Sequence, residues 1–242
     1  PADISINFNE QNLRLLNALI GFIMYGVALD LKVADFVRLF KEPRLPLLGL
    51  MSQFILLPAL TFLLILVMRP APGLALGMIL VAACPGGNIS NFITQQAKGN
   101  VSLSVSLTAI STALAIVLTP LNYSLWSSWL PGSITAGQTF ELSVWGMMQT
   151  ILLIIGLPLV LGMLTNAYLP KVVRQIKRPV KWLSLLIFFG FLAVAIAGNL
   201  QAFTKYIGYV IFLVPIHNAV ALGAGFTWGK LFKVDAASTR SL

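Results

Sequence analysis

Acidic side chains are scarce in this chain, with 7 Asp and Glu among 242 residues against 16 Lys and Arg. Asp3, Glu10, Asp30, Asp35, Glu42, Glu141 and Asp235 all lie at the edges of long apolar runs or between them. No paired carboxylates are available for hydrolysis inside an apolar region, and no embedded acid marks a proton- or cation-coupled membrane site. The single cysteine, Cys84, excludes an internal disulfide framework and a cysteine-built metal centre. The single histidine, His217, excludes a histidine cluster. Charged residues of both signs make up 10% of the chain, where a soluble domain carries about 25%. The first twelve residues, PADISINFNEQN, are polar and do not resemble a cleavable signal peptide.

What the chain has in abundance is apolar length. Hydrophobic residues make up 58% and the mean hydropathy is +0.90, so the whole chain reads as one all-α, polytopic membrane domain. Seven runs approach the roughly 20 residues that cross a hydrocarbon core. They are Leu13–Leu31, Leu45–Met68, Gly73–Gln95, Val101–Trp126, Leu142–Thr165, Val180–Leu200 and Tyr206–Trp228. Alternating topology puts Lys32, Arg38, Lys41, Arg44, Lys98, Lys171, Arg174, Lys177, Arg178, Lys181, Lys230, Lys233 and Arg240 on one side, and Arg14, Arg69 and Lys205 on the other. The positive-inside rule then places a multi-pass protein in the cell membrane with its N-terminus outside and residue 242 inside. Much of the formal charge of +9 is explained by this topology. Nucleic acid is not an expected partner, because no basic stripe interleaves with aromatics. Trp126, Trp129, Trp145, Trp182 and Trp228 fall near span ends, where interface anchoring accounts for them. No span carries a lysine in its interior for a retinal linkage, Lys181 lying at a span edge, which argues against one kind of seven-helix receptor.

One span is interrupted. Ile79–Thr94 reads ILVAACPGGNISNFIT, with Pro85, Gly86 and Gly87 breaking the helix and Asn88, Ser90 and Asn91 directly after it. Such a break frees carbonyls at the end of one half-helix and N–H groups at the start of the next, which suit a cation and an anion respectively. A structural kink with self-satisfied amides and hydroxyls is the competing reading. The following span carries Ser104, Thr108 and Ser111 on one helical face, with Thr112 beside it, either as a solute-lining stripe or as interhelical glue. Gln53, five residues before Pro58, is costly to bury without a partner, and Ser52 beside it allows a local structural explanation. In the seventh span, His217 reads as a neutral packing residue or a proton relay, while Asn218 is the better candidate for a cavity wall.

CPGGNISN at Cys84–Asn91, followed by KGNVSLSVSLT at Lys98–Thr108, closely resembles the bile acid:sodium symporter family. SQFILLP around Gln53, His217-Asn218 and YGVALDLKVADF at Tyr25–Phe36 extend the resemblance over nearly the whole chain. It implies a secondary transporter with an inverted-repeat fold, two crossed broken helices, and a core domain moving against a panel domain. The core would comprise about 45–126 and 206–228, and the panel about 13–31, 142–165 and 180–200. The implied activity is sodium-coupled symport of an organic anion such as a bile salt by alternating access, with no enzymatic step and no cofactor beyond sodium ions. Ser90, Asn91, Ser104, Thr108 and Gln53 match sodium ligands, and Asn218 matches a polar residue of the substrate cavity. Asn88 and His217 are grouped with Asn218 as substrate-side residues, with Pro85, Gly86 and Gly87 supplying broken-helix backbone. Sodium, an organic anion and the lipid bilayer are the expected partners. Two alternatives stay open: a sodium- or proton-coupled transporter of pantoate or another small carboxylate, and a nontransporting membrane binding protein. In the family pattern a second broken helix carrying a glutamate, and a final helix, follow the position of Leu242. The seven spans would then be the first seven of nine.

Overall fold

The computed structural model describes residues 10–29, 43–87, 89–132, 144–198 and 200–242. Asn88, the expected connection residues Lys32, Arg38 and Lys41, and the acids Asp3, Asp30, Asp35, Glu42 and Glu141 lie outside these. All regular structure among the described residues is helical. Nine helices are numbered in chain order: α1 Glu10–Ala28, α2 Arg44–Met68, α3 Pro72–Ala83, α4 Ile89–Gln96, α5 Val101–Ser128, α6 over 144–168, α7 Pro170–Gly198, α8 Leu200–Leu231 and α9 Ala236–Thr239.

Among the described residues, five helices are long and apolar enough to cross a membrane: Arg44–Met68, Val101–Ser128, Met148–Tyr168, Pro170–Gly198 and Ile207–Leu231. The other two of the seven expected runs form shorter apolar helices. The first expected span contributes a shorter apolar stretch, Asn17–Ala28, preceded by the polar Glu10, Asn12 and Arg14. The third divides at the Pro-Gly-Gly break into α3 and α4, of 12 and 8 residues. At 1.5 Å per residue these are about 18 and 12 Å long, so neither half reaches across alone. The sixth starts ten residues earlier than expected, at Pro170, because proline suits the first helical turn and the basic run 171–181 continues the helix. The outer faces are apolar: Leu186 and Val194 are each 71% exposed, an arrangement that lipid satisfies and water does not. The protein is a multi-pass helical membrane protein.

The chain forms two compact units. Among described residues, the first unit takes those of Pro1–Lys32 and Leu152–Ile216. Here α1 packs on α6 and α7. Close backbone approach is the device, as expected where lipid removes the hydrophobic drive between helices. A Cβ on Gly162 of α6 would lie 2.5 Å from Ala28 Cβ and 3.0 Å from Tyr25 O, and one on Gly26 of α1 would lie 2.9 Å from Ser184 Oγ. Tyr25 Oη donates to Thr165 Oγ1 at 3.2 Å across the same α1–α6 contact.

The second unit takes the described residues of Val33–Ile151 and His217–Leu242. At its centre α5 contacts α2, α3 and α4, and a large part of its surface is buried inside the protein. α2 contains a π turn over Ser52–Leu56, closed by the Leu57 N–H on Ser52 O. Pro58 lies two residues beyond the turn, and a proline ring crowds the carbonyl four residues back, so the widened turn accommodates it. The same order recurs in α6, with a π turn at Leu152–Gly156 before Pro158.

α9 is a single turn that would not persist in isolation. Asp235 caps it, accepting from the N–H groups of Ala237 at 3.1 Å and Ser238 at 3.0 Å. Hydrogen bonding from the Ser238 side chain, and then from backbone N–H groups, holds this exposed carboxyl below the ordinary carboxylate range. The folded form therefore binds the proton less tightly than the unfolded chain does. The cap's contribution is complete above the ordinary carboxylate pKa and disappears as pH falls through the lowered one. Amide-exchange protection at Ala237 and Ser238 should accordingly survive the pH range in which a free aspartate titrates and fail below it. Loss of protection already at the ordinary value would contradict this assignment.

Candidate functional site

The break begins where α3 stops. Cys84 is extended, with φ −77° and ψ 153°, as the residue before a proline tends to be. Its N–H still bonds back to Leu80 O and Val81 O, and the chain re-enters helix at Ile89. Two carbonyls at this end are held by side chains of other helices. Thr119 Oγ1 of α5 donates to Ala83 O at 2.7 Å, and Gln53 Nε2 of α2 donates to Cys84 O at 3.2 Å. Gln53 thus sits at the break, with its Oε1 as the remaining amide oxygen, and the π turn in α2 surrounds it.

Beyond the break, Ser90 turns back. Its Oγ and its N–H both donate to Gly87 O, at 2.7 and 3.0 Å. Asn91, one residue on, points toward α5. Its Oδ1 accepts from Ser104 Oγ at 2.6 Å and from Thr108 Oγ1 at 3.3 Å, and Thr94 Oγ1 reaches Ser104 Oγ at 3.3 Å. Ser104, Thr108 and Thr94 are buried and Asn91 is half-buried. Four neutral oxygens from two helices therefore converge. Each hydroxyl has a rotatable proton and two lone pairs, so the cluster can turn its oxygens toward an ion without moving backbone. Among the described residues no group of His, Cys, Asp and Glu is placed to hold a metal. An uncharged oxygen set suits a weakly held monovalent cation better than a divalent ion, which usually draws carboxylates.

The hydroxyl stripe of α5 divides by function. Ser111 Oγ and Thr112 Oγ1 both bond to Thr108 O, at 3.2 and 2.7 Å, a self-satisfied arrangement within the helix. Ser104 and Thr108 instead meet Asn91. Thr94 and Thr119 belong to the same surroundings and were not anticipated. Thr94 lies three residues after Asn91 on one face of α4, and Thr119 extends the α5 stripe by seven residues from Thr112, so helical spacing held both signals.

His217 and Asn218 part company. His217 is buried, with Nε2 2.8 Å from Oγ1 of the fully buried Thr61, and so fastens α8 to α2. Asn218 is exposed, since successive helical residues point about 100° apart. Gly86 and Gly87 face open space, and a Cβ on either would meet nothing within 4 Å.

The sequence profile of the Sodium Bile acid symporter family matches residues 17–206. The chain belongs to that family. That family is one of secondary transporters rather than enzymes, and its name speaks of sodium symport. The matched stretch includes the break, Gln53 and the α4–α5 oxygen cluster, and ends before His217. A sodium-dependent transporter of Bacillus subtilis (strain 168), YocS, described as uncharacterized, is 32% identical over 225 residues, covering 92% of this chain and 67% of its own. The probable chloroplastic sodium/metabolite cotransporter BASS2 of Oryza sativa subsp. japonica is 30% identical over 223 residues, covering 92% of this chain and 51% of its own. The probable chloroplastic sodium/metabolite cotransporter BASS1 of Arabidopsis thaliana is 28% identical, covering 90% and 52%. The chain spans about two thirds of the bacterial relative and about half the length of the plant ones.

Proposed function

We propose that this chain forms part of a symporter that uses sodium to carry a small organic anion, a metabolite carboxylate in preference to a bile salt. The observation that carries the reading is the convergence of Asn91, Thr94, Ser104 and Thr108 beside a broken membrane helix. Sodium held there would tie α4 to α5, and a state with that tie would present the start of α4 to the anion differently from a state without it. Coupling resides in that difference, since a cation bound equally in both states would drive nothing. Ser90 and Gln53, each bonded to a carbonyl at the break, are proposed to exchange those partners for sodium as the second broken helix of the family contributes its charge. Asn88 and the exposed Asn218 are proposed substrate-side residues, together with the open backbone at Pro85, Gly86 and Gly87. His217 supports α8 through Thr61.

The preference for a small carboxylate follows the plant relatives, whose names speak of sodium/metabolite cotransport. Pantoate-like acids have that chemistry. We further propose that α1 and the α3–α4 pair also cross, making seven spans of an inverted-repeat fold with the N-terminus outside and residue 242 inside. The second unit would be the core and the first the panel.

The test is uptake by the intact protein in proteoliposomes, across small carboxylates and bile salts, under a sodium gradient, a proton gradient or neither. Uptake of a small carboxylate that rises with sodium is expected. Uptake that ignores sodium and follows protons would replace the coupling ion, and ligand binding without flux would make this a binding protein.

A further inference from the structure

We infer that Asn100 is a positioning residue for the cation site, locked in place by the 235–242 segment; the inference rests on the sodium-coupled reading of that site. Asn100 is the N-cap of α5, and its Oδ1 accepts from Leu103 N at 3.0 Å. Its own carbonyl accepts from Ser104 N at 3.1 Å, so the backbone of a proposed sodium ligand hangs directly on Asn100. Every other polar group of Asn100 is engaged by the segment after α8. Its N–H donates to Ala237 O at 3.0 Å, its Nδ2 donates to Ser238 Oγ at 3.2 Å, and its carbonyl also accepts from Ser241 Oγ at 3.1 Å.

The neighbouring connection is gripped in the same way. Arg240 Nη1 donates to Ala97 O at 3.1 Å, and Gly99 N donates to Thr94 O at 2.8 Å. Gly99 has no space for a side chain, since a Cβ there would lie 2.8 Å from Thr94 Cγ2, 3.1 Å from Ser241 Oγ and 3.3 Å from Ala237 O. Lys98 before it takes a left-handed φ of 54°, which reverses the chain between α4 and α5. The connection 97–100 is therefore clamped between the end of α4 and the 235–242 segment. Both helices that supply oxygens, α4 with Asn91 and Thr94 and α5 with Ser104 and Thr108, leave from this clamp. The Asp235 cap preorganises the clamping side by fixing the turn that presents Ala237 O and Ser238 Oγ.

An ordinary N-cap would need Oδ1 alone. The second bond, Nδ2 to Ser238, adds a constraint on where the first turn of α5 sits, and so on the separation of Ser104 from Asn91. Asn100→Asp keeps a capping oxygen and loses the Nδ2 donor, while Ser238→Ala removes the same bond from the other end together with the Ser238 hydrogen bond to the Asp235 carboxyl. In sodium-dependent uptake by the intact protein, each variant should raise the half-saturating sodium concentration about fivefold to tenfold, the worth of one such hydrogen bond. The half-saturating anion concentration at saturating sodium should stay unchanged. The double variant should lose less than the two single variants added together, because both remove the Asn100–Ser238 bond. Hydrogen exchange at the amides of Leu103 and Ser104 should quicken in both variants, with membrane insertion and yield retained.

Unchanged sodium half-saturation in both variants, equal losses for sodium and anion, or additive effects in the double variant would each overturn the proposal. Wild-type uptake indifferent to sodium would instead sink the coupled-transport reading. Exchange then still decides the clamp, since unaltered protection at Leu103 and Ser104 in Ser238→Ala would show that the 235–242 segment does not hold α5.

Discussion

Asn91→Ala is expected to reduce sodium-stimulated uptake by the intact protein to near background while leaving it folded in the membrane. Asn91 Oδ1 is the shared acceptor of Ser104 and Thr108, whose side chains are 3% and 5% exposed. Removing the carboxamide deletes one proposed ligand and strands the Ser104 hydroxyl where water does not replace the lost partner. Leaving a buried donor without its acceptor costs about 1–3 kcal/mol. If about 2 kcal/mol of this falls on the ion-bound state, the half-saturating sodium concentration rises about thirtyfold. Thr108 retains its bond to Ser104 O at 2.9 Å, which is why the fold is expected to survive. Asn91→Asp keeps an acceptor oxygen and should keep sodium-dependent uptake. Wild-type sodium half-saturation in Asn91→Ala, measured in proteoliposomes, would remove Asn91 from the site.

Gly162→Leu is expected to cost the protein most of its folded yield, for a reason unconnected with sodium. The Cβ that any other residue adds would sit 2.5 Å from Ala28 Cβ, 3.0 Å from Tyr25 O and 3.1 Å from Ala28 C. Two of those three are backbone atoms, which no rotamer change moves aside. α1 and α6 would have to separate, taking with them the Tyr25–Thr165 hydrogen bond. Overpacking by a methyl group costs about 1–3 kcal/mol, so Gly162→Ala should lower the thermal midpoint of the detergent-solubilised protein measurably and Gly162→Leu should go well beyond it. Ala28→Gly should return part of the Gly162→Ala loss, because it removes the shortest of the three contacts and leaves the other two. An undiminished midpoint in Gly162→Leu would mean that the α1–α6 approach is not a structural requirement.

Much of the architecture is readable along the chain because lipid imposes a simple rule on it. A helix that crosses must be apolar for about 20 residues, so α2, α5, α6 and α8 follow from hydropathy with end shifts of a few residues. The helical start at Pro170 was not readable in that way, since a run containing Lys171, Arg174, Lys177, Arg178 and Lys181 looks like a connection to a hydropathy rule and like a helix only to a propensity rule. The break was plain from Pro85, Gly86 and Gly87. The fate of its carbonyls was not: Ala83 O and Cys84 O meet Thr119 and Gln53, which lie 36 and 31 residues away along the chain.

Polar residues inside apolar runs identify candidates, because each is too costly to bury for nothing, and Gln53, Ser90, Asn91, Ser104, Thr108 and His217 were singled out on that ground. Which of them meet is a property of packing. Helical periodicity put Ser104, Thr108, Ser111 and Thr112 together on or beside one face, yet only the neighbouring α4 decides that the first two bond to Asn91 while the last two bond to their own helix. His217 and Asn218 are adjacent in sequence and opposite in burial among the described residues, because α2 brings Thr61 to the His217 side of α8. Asn100 carried no local signal beyond that of a helix cap, and its second partner lies 138 residues away. A membrane-spanning helical protein with a broken helix and a neutral polar inventory is legible from composition and periodicity, because these are local quantities that the bilayer acts on directly. The tertiary structure alone decided the oxygen cluster, the stapled break and the clamp on α5, since hydrogen bonds between distant segments depend on where helices pack and not on their spacing in the chain.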